Sequence, residues 1–182
     1  MKKKLKLFLL TCLPLFSVAC SPISNIVWVK LFPPIVIEIG DNMVDAKLLD
    51  VNENKINLSN YLSDKYLLLN FCSSGCGNCK ASLPEMKEIA EIFHENLTII
   101  NIGLESENRW KNAMTEQNTT WVNLRDPKSH GGLAAKYGND FRVPYFVIIS
   151  PEGKIVDKWF GYNNGLINRK INENVYSASI NK

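Results

Sequence analysis

Seven consecutive residues, Tyr66-Leu67-Leu68-Leu69-Asn70-Phe71-Cys72, form a near-continuous apolar run of strand length, and Cys76-Gly77-Asn78-Cys79 begins four residues after it ends. A run without polar alternation fits a strand covered on both faces, the central position in a sheet with helices above and below. The cysteine pair then falls where that strand hands over to a helix. Apolar positions recur at helical spacing after it (Leu83, Met86, Ile89, Ala90, Phe93), interrupted by Pro84.

The rest of the chain alternates in the same way. Residues 45–51 and 55–58 read as a short hairpin around Asn52-Glu53-Asn54, and Ser59 caps a brief turn to Leu62. Residues 97–102 read as a second buried strand, and Ser106 with Glu107 starts a helix to Gln117. A short strand is expected over 121–124 and a short helix over 133–137, stopped by Gly138. Residues 145–149 and 155–160 form a closing hairpin turned by Pro151-Glu152-Gly153, and 164–172 reads as a final helix. The fold class is therefore α/β: a central mixed β-sheet flanked by helices on both faces, with an N-terminal β-hairpin extension. The domain spans 41–172, and 173–182 forms a polar C-terminal tail.

Charge placement separates off the N-terminus. The chain carries a formal charge of +3, with Lys2, Lys3, Lys4 and Lys6 at its start and no acidic residue in the first nineteen. Without those residues, 17 basic side chains face 18 acidic ones, so no basic surface remains for nucleic acid. Residues 1–19 have the layout of an export signal peptide: a basic segment, an apolar run and the small-residue end Ser17-Val18-Ala19. The apolar stretch is short for a membrane span and contains Pro14. Cys20 follows Ala19 directly, which resembles a bacterial lipoprotein processing site where the cysteine is acylated, although Ser17 stands where such sites prefer Leu. An ordinary cleaved signal and an uncleaved anchor are the alternatives. All three place the domain outside the cytoplasm, in the cell envelope. Residues 20–40 read as a tether, in which Ile35-Val36-Ile37 offers an edge strand.

The C-x-x-C spacing puts Cys76 and Cys79 on one face of a first helical turn. At the N-terminal end, Cys76 meets unsatisfied backbone N–H groups and the positive end of the helix dipole, which favour a thiolate. Cys76 is the expected attacker of a disulfide and Cys79 the resolver, with Gly77 and Asn78 leaving the turn uncharged. Half of a zinc site is the first alternative, but no second cysteine pair exists and His94 and His130 supply no matching ligand pair, so no metal is expected. A plain structural disulfide is the second.

Around this motif the chain resembles the thioredoxin superfamily, and within it exported thiol–disulfide oxidoreductases of the TlpA/ResA type. The resemblance rests on Leu68-Leu69-Asn70-Phe71-Cys72-Ser73-Ser74-Gly75-Cys76-Gly77-Asn78-Cys79-Lys80, on Pro84, and on Val143-Pro144 ahead of the closing hairpin, and it covers about residues 41–162. It implies a cis Val143-Pro144 bond beside the cysteines, with Val143 and Pro144 binding an extended substrate segment, and Gly75, Gly77 and Asn78 in the active-site loop. It also implies a redox-active Cys76–Cys79 disulfide with no other cofactor, exported protein substrates with disulfides, reduction as the direction, and a membrane thiol electron donor. With the lipid anchor on Cys20, the protein would be a periplasm-facing, membrane-anchored lipoprotein.

Several positions depart from the family. Asn70 stands where thioredoxins carry a buried Asp, and Ser82 where TlpA-like relatives often carry a Glu. Proton transfer to Cys79 is then expected to use water or Ser82. Cys72 and Gly75 replace two aromatic residues, which opens the rim of the site. Cys72 reads as a small core hydrophobe, with a third redox thiol as the sharper alternative. Two other functions stay open: a peroxiredoxin-like thiol peroxidase, and a non-enzymatic copper- or cytochrome-assembly binding module. Against the first, Leu69 stands where the peroxidatic loop needs Pro; against the copper version of the second, the cysteine spacing is one residue short.

Overall fold

The computed structural model describes residues 36–139 and 141–176. The expected signal of 1–19, Cys20 and most of the tether lie outside the described residues. In chain order the elements are β1 (Lys47–Leu49), β2 (Lys55–Asn57), β3 (Tyr66–Cys72), α1 (Gly77–Ile92), β4 (Leu97–Gly103) and α2 (Glu107–Gln117). They continue with β5 (Val122–Arg125), α3 (Leu133–Lys136), β6 (Tyr145–Ile149), β7 (Ile155–Phe160) and α4 (Leu166–Ile171). The sheet order is β2-β1-β5-β4-β3-β6-β7, with β3 parallel to β4 and antiparallel to β6.

The apolar run of β3 is buried on both faces, as its sequence requires. Leu67, Leu69 and Phe71 enter one core with Ile100, Ile102, Leu133 and Tyr137. Leu68 enters the other, with Met86 and Ile89 of α1, Phe146, and Ile167 and Ile171 of α4. Each of these three leucines is fully buried, and each such burial stabilises by roughly 1.5–3 kcal/mol. The alternation of β3 also sends Asn70 and Cys72 toward α1. That helix answers with a buried row, Cys79, Ser82, Met86 and Ile89, at helical spacing. Pro84 lies within α1 on its exposed side.

Small differences from the sequence expectations have local causes. The final helix passes into a π-helical turn over Asn172–Tyr176, because Val175 is drawn into the α1-side core. Residues 36 and 37 form no strand. Instead the Ile37 N–H donates to the Lys136 carbonyl at 3.0 Å and the Gly40 N–H to the Ile155 carbonyl at 2.8 Å. Asp126 anchors the turn into α3, accepting from the backbone N–H groups of Lys128 at 2.8 Å and Leu133 at 2.7 Å.

Gly103, paired with Cys72 across β3 and β4, lies against the fully buried Trp110 of α2. A Cβ at this position would stand 2.3 Å from Trp110 Cδ1. Gly103→Ala is expected to destabilise the domain by about 1–3 kcal/mol through overpacking, read as a lower urea midpoint. An unchanged midpoint would show that the indole can yield.

Candidate active site

Strand β3 delivers the chain to the site at its C-terminal end, where the Leu104 N–H donates to the Cys72 carbonyl at 3.0 Å. The next three residues form a short loop closed by the Cys76 N–H donating to the Ser73 carbonyl at 3.1 Å. Cys76 is the N-cap of α1. Its extended backbone turns the sulfur back over the helix end, where Sγ accepts from the Cys79 N–H at 3.1 Å. Gly75, Gly77 and Asn78 are exposed, and no atom crowds Gly75 or Gly77, so the rim stands open.

The antiparallel pairing of β3 with β6 ends at Phe71 and Tyr145, which holds the preceding residues of the β6 strand beside this loop. The Val143-Pro144 peptide bond is cis. The Val143 carbonyl accepts from Cys76 Sγ at 3.4 Å. Cys76, Cys79, Val143 and Pro144 are thus brought together from two elements distant in sequence. Cys76 is half-buried and Cys79 is buried beneath it, and in this structure both are free thiols.

The electrostatics of Cys76 differ from the expected thiolate-favouring setting. Burial raises its pKa most, and the neighbouring Cys79 thiol adds to the rise; the backbone N–H groups of Cys79 and Asn78 oppose them but do not win. The thiol is pushed up to about 11. The N–H donors predicted from helix position are present, but removing a sulfur anion from water costs more than they return. Cys79 is pushed up as well, first by a hydrogen bond with the Cys72 thiol and then by burial.

The polar residues around the pair have structural duties. Asn70 is buried and donates to Asn101 Oδ1 at 3.0 Å and toward Met86 Sδ at 3.4 Å. Ser82 donates to the Cys79 carbonyl at 2.8 Å, which commits its proton to the helix backbone rather than to the Cys79 sulfur. Glu85 is buried and accepts from the backbone N–H groups of Gly165 at 3.0 Å and Asn168 at 2.7 Å, holding the start of α4.

Glu105 escaped the sequence reading. Its buried carboxylate, just beyond β4, accepts from the Ser74 N–H at 2.8 Å and the Ser74 hydroxyl at 2.5 Å, clamping the loop before Cys76. The only sequence signal was an acidic residue between a buried strand and a helix cap. Phe141 and Phe160 also escaped it. Phe141 is 71% exposed next to Val143's loop, and Phe160 is 45% exposed, so apolar surface lost with the missing rim aromatics reappears on the proline side. The Arg142 guanidinium stands 4.6 Å from the Phe160 ring centre. Among the described residues, no group of three or more His, Cys, Asp or Glu side chains is placed to hold a metal ion.

The family model described as AhpC/TSA matches residues 39–158. Among solved structures, the chain is similar to a thiol:disulfide interchange protein from Bacteroides sp., at 22% identity and a TM-score of 0.67 over 77% of this chain and 91% of that one. It is similar to a thioredoxin domain of a thiol-disulfide oxidoreductase from Bacteroides vulgatus at 24% identity and 0.64, over 74% and 96%. It is also similar to the exposed lipoprotein thioredoxin of Streptococcus pneumoniae at 28% identity and 0.60, over 71% and 99%. The first two likenesses bear on the fold alone. No curated protein sequence matches the chain.

Two outcomes follow from this geometry. Alkylation of Cys76 is expected to accelerate about tenfold per pH unit above neutrality and to level off only near a pH of about 11. A plateau at or below about pH 8, near an unperturbed thiol, would contradict the burial argument. Glu105→Ala leaves the Ser74 N–H without its acceptor and is expected to cost about 1–3 kcal/mol of stability, again read by urea unfolding.

Proposed function

The chain belongs to the AhpC/TSA family as a thioredoxin-like oxidoreductase, and from that premise we propose that it reduces disulfides of exported proteins through Cys76 and Cys79. The observation that carries the proposal is the juxtaposition at Cys76: a half-buried sulfur at a helix N-cap, a buried thiol one turn below, and the Val143 carbonyl at 3.4 Å.

In the proposed reaction Cys76 loses its proton and attacks one sulfur of a substrate disulfide. A Cys76–substrate bond forms and the other substrate sulfur leaves as a thiolate, which takes up a proton. Cys79 then gives up its proton and attacks the Cys76 sulfur, forming the Cys76–Cys79 disulfide and releasing the second substrate thiol. Two electrons and two protons pass from the protein to the substrate, and no further cofactor is involved. An extended substrate segment lies along Val143 and Pro144, where the backbone offers a strand edge, with Phe141 and Phe160 as apolar contacts.

The raised pKa of both thiols supports the reducing direction. An oxidising pair is one whose reduced form is stabilised, typically as a thiolate; here burial at Cys76, and the Cys72 thiol followed by burial at Cys79, withhold that stabilisation. Regeneration then requires a membrane thiol donor. We place the protein in the cell envelope, held by a lipid on Cys20. The supporting features are the signal-like N-terminus and the likeness to an exposed lipoprotein of another bacterium. No helix among the described residues is long and apolar enough to cross a membrane.

The test is insulin disulfide reduction under a thiol supply, with the reduction potential of the pair measured alongside. Wild type should reduce insulin, Cys76→Ser should lose the activity, and Cys79→Ser should accumulate a mixed disulfide with substrate. A potential well below about −200 mV fits a reductant, and one near −120 mV an oxidant. Rapid peroxide consumption by Cys76 with no action on protein disulfides would instead establish the peroxidase reading.

A further inference from the structure

Cys72 is a buried nucleophile that the reaction above leaves unused. It is the last residue of β3, 8% exposed, and the β3 alternation that sends Leu68 and Asn70 toward α1 sends Cys72 to the same face. One turn into α1, Cys79 is the first residue of the inward row and is 3% exposed. The shared face places the Cys72 side chain beside the Cys79 thiol, and the Cys72 sulfur itself donates only weakly, to the Ser73 carbonyl at 4.0 Å. Cys79 therefore has two sulfur neighbours, Cys76 on the solvent side and Cys72 on the sheet side. The other flank of Cys72 is not tightly filled: a small hollow lined by Cys72, Ser74, Asn101, Gly103, Trp110 and Met114 lies against it.

We propose that Cys72 is a third redox thiol, which exchanges with the oxidised pair at Cys79 to give a Cys72–Cys79 disulfide and a free Cys76. The inference rests on the Cys76–Cys79 pair being redox-active. In the step, Cys72 loses its proton and its sulfur attacks Cys79 Sγ; the Cys72–Cys79 bond forms, the Cys76–Cys79 bond breaks, and the Cys76 sulfur leaves and takes up the proton. No electron is gained or lost, so no co-reactant is needed. Holding attacker and target side by side replaces a bimolecular encounter with an intramolecular one.

The consequence is a second activity for the same site. In ordinary exchange the oxidised protein has no free thiol at its exposed position. In the isomer with Cys72 paired to Cys79, Cys76 is free and half-exposed while its resolver is occupied. It can attack a substrate disulfide, but Cys79 cannot then complete a net reduction. The bond is released by another thiol of the same substrate, so the substrate's disulfides are rearranged without transfer of electrons. The substrate class is an exported protein carrying mispaired disulfides.

The experiment uses the full-length protein. Wild type and variants are oxidised by glutathione disulfide, freed of excess oxidant, blocked with N-ethylmaleimide in denaturant, and digested with trypsin; residues 66–80 then form one peptide bearing all three cysteines. In oxidised wild type, fragmentation should find the label on Cys72 in part of this peptide and on Cys76 in the remainder. The oxidised Cys72→Ser peptide should carry no label, and the Cys76→Ser peptide should lose both hydrogens of Cys72 and Cys79 and take no label. A disulfide in wild type with label on Cys72 alone, together with two labels in Cys76→Ser, overturns the exchange and leaves the redox pair standing. Absence of any disulfide in the wild-type peptide overturns the pair and the exchange with it.

Discussion

The structure depends on β3 being shared by two partners of opposite sense. Its parallel pairing with β4 runs from Tyr66 and Leu97 to Cys72 and Gly103, which puts the carboxyl ends of both strands at one edge. Its antiparallel pairing with β6 stops at Phe71 and Tyr145. The chain entering β6 therefore arrives where the chain leaving β3 turns into α1. A parallel neighbour on the β6 side would place the Val143-Pro144 segment at the opposite end of the sheet, and Cys76 would face solvent alone.

Burial decides the chemistry within that frame. The helix N-terminus supplies Cys76 with an N–H donor, the usual recipe for an acidic thiol. Desolvation and the adjacent Cys79 thiol outweigh it and push Cys76 up, while the Cys72 thiol and burial push Cys79 up. The polar residues that surround the pair do not reverse this. Ser82 and Glu85 are spent on the backbone of α1 and on the start of α4. Glu105 acts on the loop instead, holding Ser74 from the far side of β4.

Most of the fold was legible in the chain. The near-continuous apolar character of 66–72, with the second apolar run at 97–102, required two-sided cover, and Pro151-Glu152-Gly153 and Gly138 marked turns whose glycines adopt positive φ. Helix ends were legible to within a few residues, because a cap such as Cys76 is chosen by local backbone geometry. The N–H donors at Cys76 were legible for the same reason. The closing π turn was not, since Val175 packs into a core that α1 and α4 build together.

The sequence by itself determined that a buried central strand must end in a cysteine pair at a helix start, because hydrophobic periodicity and a three-residue spacing are local properties. It also determined that the positive charge belongs to the N-terminal segment. Only the tertiary structure decided that Val143 reaches Cys76, that Glu105 clamps Ser74, and that Cys72 lies on the same buried face as Cys79. Each of those contacts joins residues on different elements, and strand register and helix packing set them. The sign of the Cys76 shift was decided there too, because local spacing counts the hydrogen-bond donors but only packing removes the water.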